Sequence, residues 1–331
     1  MPLSTTQPVP TVRNDQAREL RAIIARRASS APVASRSTRR CKTVVIAGSK
    51  GGTGKSVVAL NLALALGNSP ASVGLLDSSD IGSLSLLCGQ NGYWNLDHVA
   101  AGIRTVEEVT LSLNSNVTIL PGVNHLLTSS VSSSTWRSLV EFERRHDWFV
   151  IDTGSDLDQT TQFARTADAT IIVTTPEPTS VAEAYGAMKC LCARGVTAIS
   201  VLVNQIDSED QALLIMDRLR HAAKAFLSSD IGLAGVVPVD PEVTQSVFRR
   251  TPLIADVTAK PNQSHAGQAI ESLAGRLMRV VTTDRELSCV ESLQNASNGN
   301  IGLAELEETS GFAGTISKIG PVGISRRNKV N

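Results

Sequence analysis

The run Gly48-Ser49-Lys50-Gly51-Gly52-Thr53-Gly54-Lys55-Ser56 has the residue types of a site that holds phosphate. Glycines at 51, 52 and 54 let the backbone curl so that successive N–H groups, that of Thr53 included, face inward. The Lys55 ammonium can reach the β- and γ-phosphates of a nucleotide, and the Ser56 hydroxyl is a hard oxygen ligand for Mg2+. A β-branched run precedes the loop and a helical pattern follows it at once, which would set the positive end of a helix dipole behind the phosphates. Ser49 departs from the general pattern, which has glycine there. A chance glycine-rich turn is the alternative.

Carboxylates follow at the ends of apolar runs. Asp77 closes one such run and Asp152 another. At Asp152 a charge at the end of a buried strand needs a partner, and Mg2+ beside Ser56 is the natural one. Helix capping by Asp152 or Thr153 is the alternative. Asn204 ends a further run, and Pro238 and Asp240 close the last. Asx and proline turns explain these residues without a ligand.

These groups have to be brought together by a sheet. Short β-branched or leucine-rich runs at 43–47, 72–76, 117–120, 148–151, 170–174, 200–203 and 234–237 alternate with helical patterns at 55–66, 135–145, 181–193, 210–227 and 267–281. That alternation predicts an α/β fold, a doubly wound and mostly parallel sheet of about seven strands, with ligands at the carboxyl ends of the strands. The predicted division is a head at 1–40, a nucleotide-binding domain at 41–284 and a tail without regular structure at 285–331.

Composition excludes several classes. Five scattered cysteines and five histidines lack metal-ligand spacing, which argues for reduced thiols and against a structural metal. No apolar run nears the roughly 18 residues that a membrane span needs, and the proline- and threonine-rich start lacks the apolar core of a secretory signal. A cytosolic protein is expected. The net charge is zero over the chain, yet residues 1–42 hold nine basic side chains against Asp15 and Glu19. Such a head suits an acidic partner or simply a solvated linker. Within it, Asp15 can cap a short helix whose apolar stripe includes Ala17 and Leu20, too small to fold without a surface to dock on.

KGGTGKS resembles the deviant Walker A loop, K-G-G-x-G-K-S/T, of the MinD/ParA ATPases. The resemblance implies ATP and Mg2+ as ligands and an ATP-dependent homodimer in which Lys50 reaches the partner's phosphates. Asp77 to Gly82 is similar to the family's D-x-D-L/I-G, where the first aspartate supports the metal's hydration shell and the second orients the attacking water. Here the second falls on Ser79, with Asp80 one place late. Either a local shift lets Asp80 serve, or that carboxylate is missing and hydrolysis is slow. Asp147 to Gly154 resembles the segment D-Y/F-x-x-x-D-T-G, with Asp152 at the metal. The family places an asparagine at the position of Asn204 on adenine, with Pro238 and Asp240 at the opposite wall. VTTPEPTS, at 173–180, is a family marker in which Thr179 or Ser180 can cap the next helix.

Asp15 to Arg21 contains D-Q-A-x-x-L-R and resembles the N-terminal motif of the FlhG branch, also called YlxH or FleN. In that branch the segment contacts FlhF, a signal-recognition-type GTPase. Gln16 and Arg21 would then be polar contacts beside Ala17 and Leu20; packing on the chain's own domain is the alternative. The branch implies control of flagellar number or placement, with basal-body components as further partners and recruitment to a membrane or pole by a partner. Its C-terminal amphipathic membrane helix is not evident here. A ParA-type partition ATPase that binds DNA non-specifically and a nucleotide-binding module without hydrolysis are the competing readings.

Overall fold

The computed structural model describes residues 40–48, 50–79, 82–90, 92–122, 131–227, 231–254, 264–281 and 287–298. Asp15, Gln16, Ala17, Leu20, Arg21 and Asp80 lie outside these. The elements in chain order are β1 (Lys42–Ala47), α1 (Lys55–Gly67), β2 (Val73–Ser78), α2 (Ser83–Leu87), α3 (Leu96–Ala100), α4 (Val106–Val109), β3 (Leu111–Ser112), β4 (Val117–Pro121), α5 (Ser133–Arg144), β5 (Trp148–Thr153), α6 (Leu157–Thr166), β6 (Ala169–Thr174), α7 (Pro178–Ala193), β7 (Ile199–Ile206), α8 (Glu209–Leu227), β8 (Gly232–Pro238), α9 (Pro241–Arg249), α10 (His265–Val280) and α11 (Cys289–Asn298).

The strands form one sheet in the order β3-β4-β2-β5-β1-β6-β7-β8. All neighbours are parallel except β3 with β4, a two-residue antiparallel edge that the seven expected strands did not include. Two residues are too few for a periodic signal. The order reverses at β1, which pairs with β5 on one side and β6 on the other. A crevice therefore opens beyond the carboxyl end of β1, where the glycine-rich loop begins.

Side chains alternate between two apolar layers, as a pleated strand requires. Val44, Ile46, Val73, Leu75 and Val150 share one layer with α1 and α10 residues such as Leu62 and Ile270. Val45, Leu76, Phe149 and Ile151 share the other with residues of α5 to α8 and α11, among them Leu139, Phe163, Met188 and Leu219. Helix α1 is buried along nearly its whole length, so it cannot show a polar face. Its one buried polar residue, Asn61, is satisfied: Nδ2 donates to the Val57 carbonyl at 2.8 Å, and Oδ1 accepts the Ile254 N–H at 3.0 Å. No helix among the described residues is long and apolar enough to cross a membrane.

Within the tail expected from 285 onward to lack regular structure, Cys289–Asn298 form α11, which corrects that stretch; residues 299–331 lie outside the described residues. Cys289, Val290 and Leu293 are buried in the second layer. The Glu143 carboxylate of α5, itself 0% exposed, accepts the Cys289 and Val290 N–H groups at 2.8 and 2.7 Å. Such an anion at a helix N-terminus satisfies donors that have no partner within the helix and gains from its dipole. Ten residues with three core contacts carry too little periodicity to be read, and only the docking surface makes them a helix. The folded unit thus runs past the expected boundary at 284. We expect Glu143→Ala to lower stability by about 2–3 kcal/mol, the scale of lost charge-assisted hydrogen bonds. Removal of all residues after 284 should cost at least as much, because Val290 and Leu293 leave the core. Urea midpoints that stay unchanged in both variants would contradict this docking.

Candidate functional site: a phosphate loop and two buried carboxylates

The turn out of β1 depends on glycine at two of the three expected positions. Gly52 and Gly54 have φ of +82° and +87°, a region that side chains disfavour, while Gly51 has neither positive φ nor a close neighbour. A Cβ at Gly54 would also collide with the Asn204 amide. That amide donates to the Thr53 carbonyl at 2.8 Å. Asn204 is therefore a brace from β7 to the loop through its Nδ2, a contact that a local Asx turn does not describe. A bulge aims it there, since Gln205 has φ of 59° and the β7–β8 register shifts between Asn204 and Ile206. Lys55 Nζ donates to the Lys50 carbonyl at 2.8 Å, inside the same turn.

Register brings the two carboxylates together. Asp77 and Asp152 are directly paired across β2 and β5, at the strand ends beside the loop. Their environments differ. Asp77, 1% exposed, has both oxygens engaged: Oδ1 accepts the Ser79 N–H at 3.1 Å and hydroxyl at 2.5 Å, and Oδ2 accepts the Leu84 N–H at 2.8 Å. Burial raises its pKa, with those bonds opposing the rise. Asp152 is 0% exposed, and neither oxygen makes a hydrogen bond. Burial pushes its pKa up to about 7; the Ser56 hydroxyl and the Lys55 ammonium pull it down, although Ser56 completes hydrogen-bond geometry with neither oxygen. Gly122 seals the far side of Asp77, since any Cβ there would strike the Asp77 carbonyl.

A buried carboxylate without hydrogen bonds beside a serine hydroxyl fits a divalent cation. Ser56 would hold the ion directly and Asp152 would hold its water or the ion itself. Asp77, already engaged through both oxygens, would contribute charge and shape more than a free ligand atom. Among the described residues no group of three acidic, histidine or cysteine side chains could hold a metal alone. An ion carried in by phosphate oxygens needs no such group.

Lys50 is folded onto its own chain. Its ammonium bonds the Glu177 carboxylate, and it donates to Thr179 Oγ at 2.8 Å. The expected cap by Thr179 or Ser180 is absent: α7 begins with Pro178 and has no side-chain cap. Ser180 Oγ instead accepts the Thr175 N–H and lies 3.0 Å from Thr174 Oγ. The sequence reading missed Glu177, whose signal was an acidic residue just past β6, the strand next to β1. Asp240, expected beside a base, joins two helix starts. It accepts the Glu242 N–H at 2.9 Å, the Ser264 hydroxyl at 2.8 Å and the Ala266 N–H at 3.0 Å. Burial opposes its ionisation, yet these bonds together hold its pKa below the usual range. Pro238 ends β8 two residues earlier.

Asp152 makes a pH-dependent prediction. Its folded pKa, raised to about 7, lies above the unfolded one, so the penalty is absent below the unfolded pKa, grows as pH rises from there through about 7, and is complete above it. In EDTA without nucleotide, Asp152→Asn should be more stable than wild type by roughly 4 kcal/mol at pH 8, and by less than about 1 kcal/mol at pH 4. Urea titration at the two pH values reads this; an equal difference at both would assign it to packing.

Similarity to known proteins agrees with this geometry. The ParA family profile, described as NUBPL iron-transfer P-loop NTPase, matches residues 40–278. The chain is 26% identical over 251 residues to the flagellum site-determining protein YlxH of Helicobacter pylori, covering 73% of this chain and 83% of that one. It is 29% identical over 218 residues to the antiactivator FleN of Pseudomonas aeruginosa, covering 63% and 78%. The septum site-determining protein MinD of Pyrococcus horikoshii, solved with Mg-ADP, superposes with a TM-score of 0.56 at 23% identity, over 74% of this chain and all of that one. With its glycine turn, its paired strand-end carboxylates and a family match over most of its length, the chain belongs to the ParA/MinD family of P-loop NTPases.

Proposed function

We propose that this protein is a Mg2+-dependent ATPase that switches between an ATP-bound homodimer and an ADP-bound monomer, and that its output is the number or placement of flagella. The observation that carries the nucleotide part is Asp152, a buried carboxylate that no protein group satisfies, set beside Ser56 at the mouth of a glycine loop. Loop N–H groups at 51–56 and Lys55 would hold phosphate, while Ser56, Asp152 and the Asp77 charge would hold Mg2+. When bound, that ion offsets charge on the phosphate oxygens. The carbonyl oxygen of Asn204, with Pro238 and Asp240 near the end of β8, would face the base.

Lys50 would supply the dimer switch. Its ion pair with Glu177 is exposed and therefore weak, so a more negative ligand can displace it. In a dimer closed over the nucleotide, the Lys50 ammonium would sit at the partner's phosphates, where excluded water leaves charges less screened. Turnover is expected to be slow. Ser79, where a water-orienting carboxylate is expected, turns inward to Asp77, which leaves that task to Asp80.

The flagellar part rests on YlxH and FleN, whose names state flagellar-site and antiactivator roles, and on the D-Q-A-x-x-L-R segment. Asp15, Gln16, Ala17, Leu20 and Arg21 would dock on an FlhF-type GTPase, with basal-body components as further partners. Light scattering after size exclusion tests the switch: wild type should dimerise with Mg-ATP and not with Mg-ADP, and Lys50→Ala should remain monomeric with at least tenfold slower hydrolysis. A monomer that holds ATP without turnover would favour a nucleotide-binding module. Duplex-DNA binding that falls steeply with salt would favour a partition ATPase. Ser79→Asp should raise the hydrolysis rate severalfold if the missing carboxylate limits it; an unchanged rate would assign water positioning to Asp80.

A further inference from the structure

The first turn of α2 is tied to the phosphate loop by hydroxyl groups. Ser83 Oγ donates to Ser56 Oγ at 3.0 Å. Ser83 Oγ also lies 3.3 Å from Ser79 Oγ, which donates to Asp77 at 2.5 Å. The Ser83 N–H adds a long bond of 3.4 Å to Ser79 Oγ, and the next N–H, of Leu84, closes on the other Asp77 oxygen at 2.8 Å. One hydrogen-bonded run therefore joins the end of β2 to the serine at the start of α1.

This run matters because a serine hydroxyl is a poor ligand until it is oriented. It has one proton and two lone pairs and rotates freely in the absence of partners. Here the Ser83 proton occupies one lone pair of Ser56. The Ser56 proton is left for another acceptor, since no hydrogen bond to Asp152 is completed. One lone pair of Ser56 remains for a cation. We infer that Ser83 is a positioning residue for the divalent cation at Ser56, and that through it cation binding is coupled to the first turn of α2. The inference rests on the nucleotide reading above and adds a residue to it.

Outer partners that orient metal ligands typically change metal affinity by about 10- to 100-fold when removed. The test uses the full chain and a fluorescent N-methylanthraniloyl-ATP, with Mg2+ titrated at fixed nucleotide and a parallel nucleotide titration in EDTA. Ser83→Ala should raise the Mg2+ midpoint about tenfold and leave affinity in EDTA unchanged. Ser83→Thr, which keeps the hydroxyl, should match wild type. Ser85→Ala should also match it, because the Ser85 hydroxyl bonds the Gly82 carbonyl at 3.2 Å in the same turn and does not reach Ser56. An unchanged Mg2+ midpoint in Ser83→Ala, or an equal loss of affinity in EDTA, overturns the positioning role. Failure of wild type to bind the analogue would instead overturn the nucleotide reading.

Discussion

A carboxylate buried at the end of β5 without a hydrogen bond is the constraint around which this site is arranged. Asp152 lies in an apolar sheet where an ionised group is expensive, and burial pushes its pKa up to about 7. Such a group persists in a fold only where something outside the apolar core can meet it. Everything adjacent leads to the same place: Ser56 at the start of α1, Lys55 in the turn, and Asp77 in register on the next strand. Burial and the neighbouring Asp77 charge disfavour ionisation of Asp152, and a cation beside it would favour the carboxylate.

Other buried or half-buried carboxylates in the molecule show the contrast. Glu143 is equally inaccessible, yet two N–H groups at the start of α11 meet it. Asp240 is met by two helix starts and a serine. These groups hold the architecture: one docks the last described helix on α5, and the other joins α9 to α10. Among these carboxylates, the one without protein hydrogen bonds is the one at the end of β5, in register with Asp77. The three acids thus differ in whether the chain supplies their partners.

The loop itself is held from several strands. Asn204 braces its carbonyl from β7, Glu177 and Thr179 take its first lysine just past β6, and Gly122, just past β4, closes against Asp77. A parallel sheet with its order reversed at the central strand makes this convergence possible, since every strand end concerned points to the same crevice. Ser79, Ser83 and Ser56 then connect the end of β2 to the loop with groups that form and break bonds at modest cost.

The sequence by itself determined the strand–loop–helix unit, seven of the eight strands, the five long helices and the chemical types at the phosphate mouth. These features are local: glycines at fixed offsets, β-branched runs, and apolar spacing at three and four residues. It could not assign what depends on distance in space. The short helices α2 to α4 and the docked α11 exist because the core receives them, and their few apolar residues have no period of their own. Asn204, Asp240 and Glu177 took their roles from partners 151, 26 and 127 residues away, or nearly adjacent backbone that only the folded turn presents. Which carboxylate would be left without a partner was likewise decided by tertiary structure, because satisfaction of a buried charge is a property of its surroundings and not of its residue type.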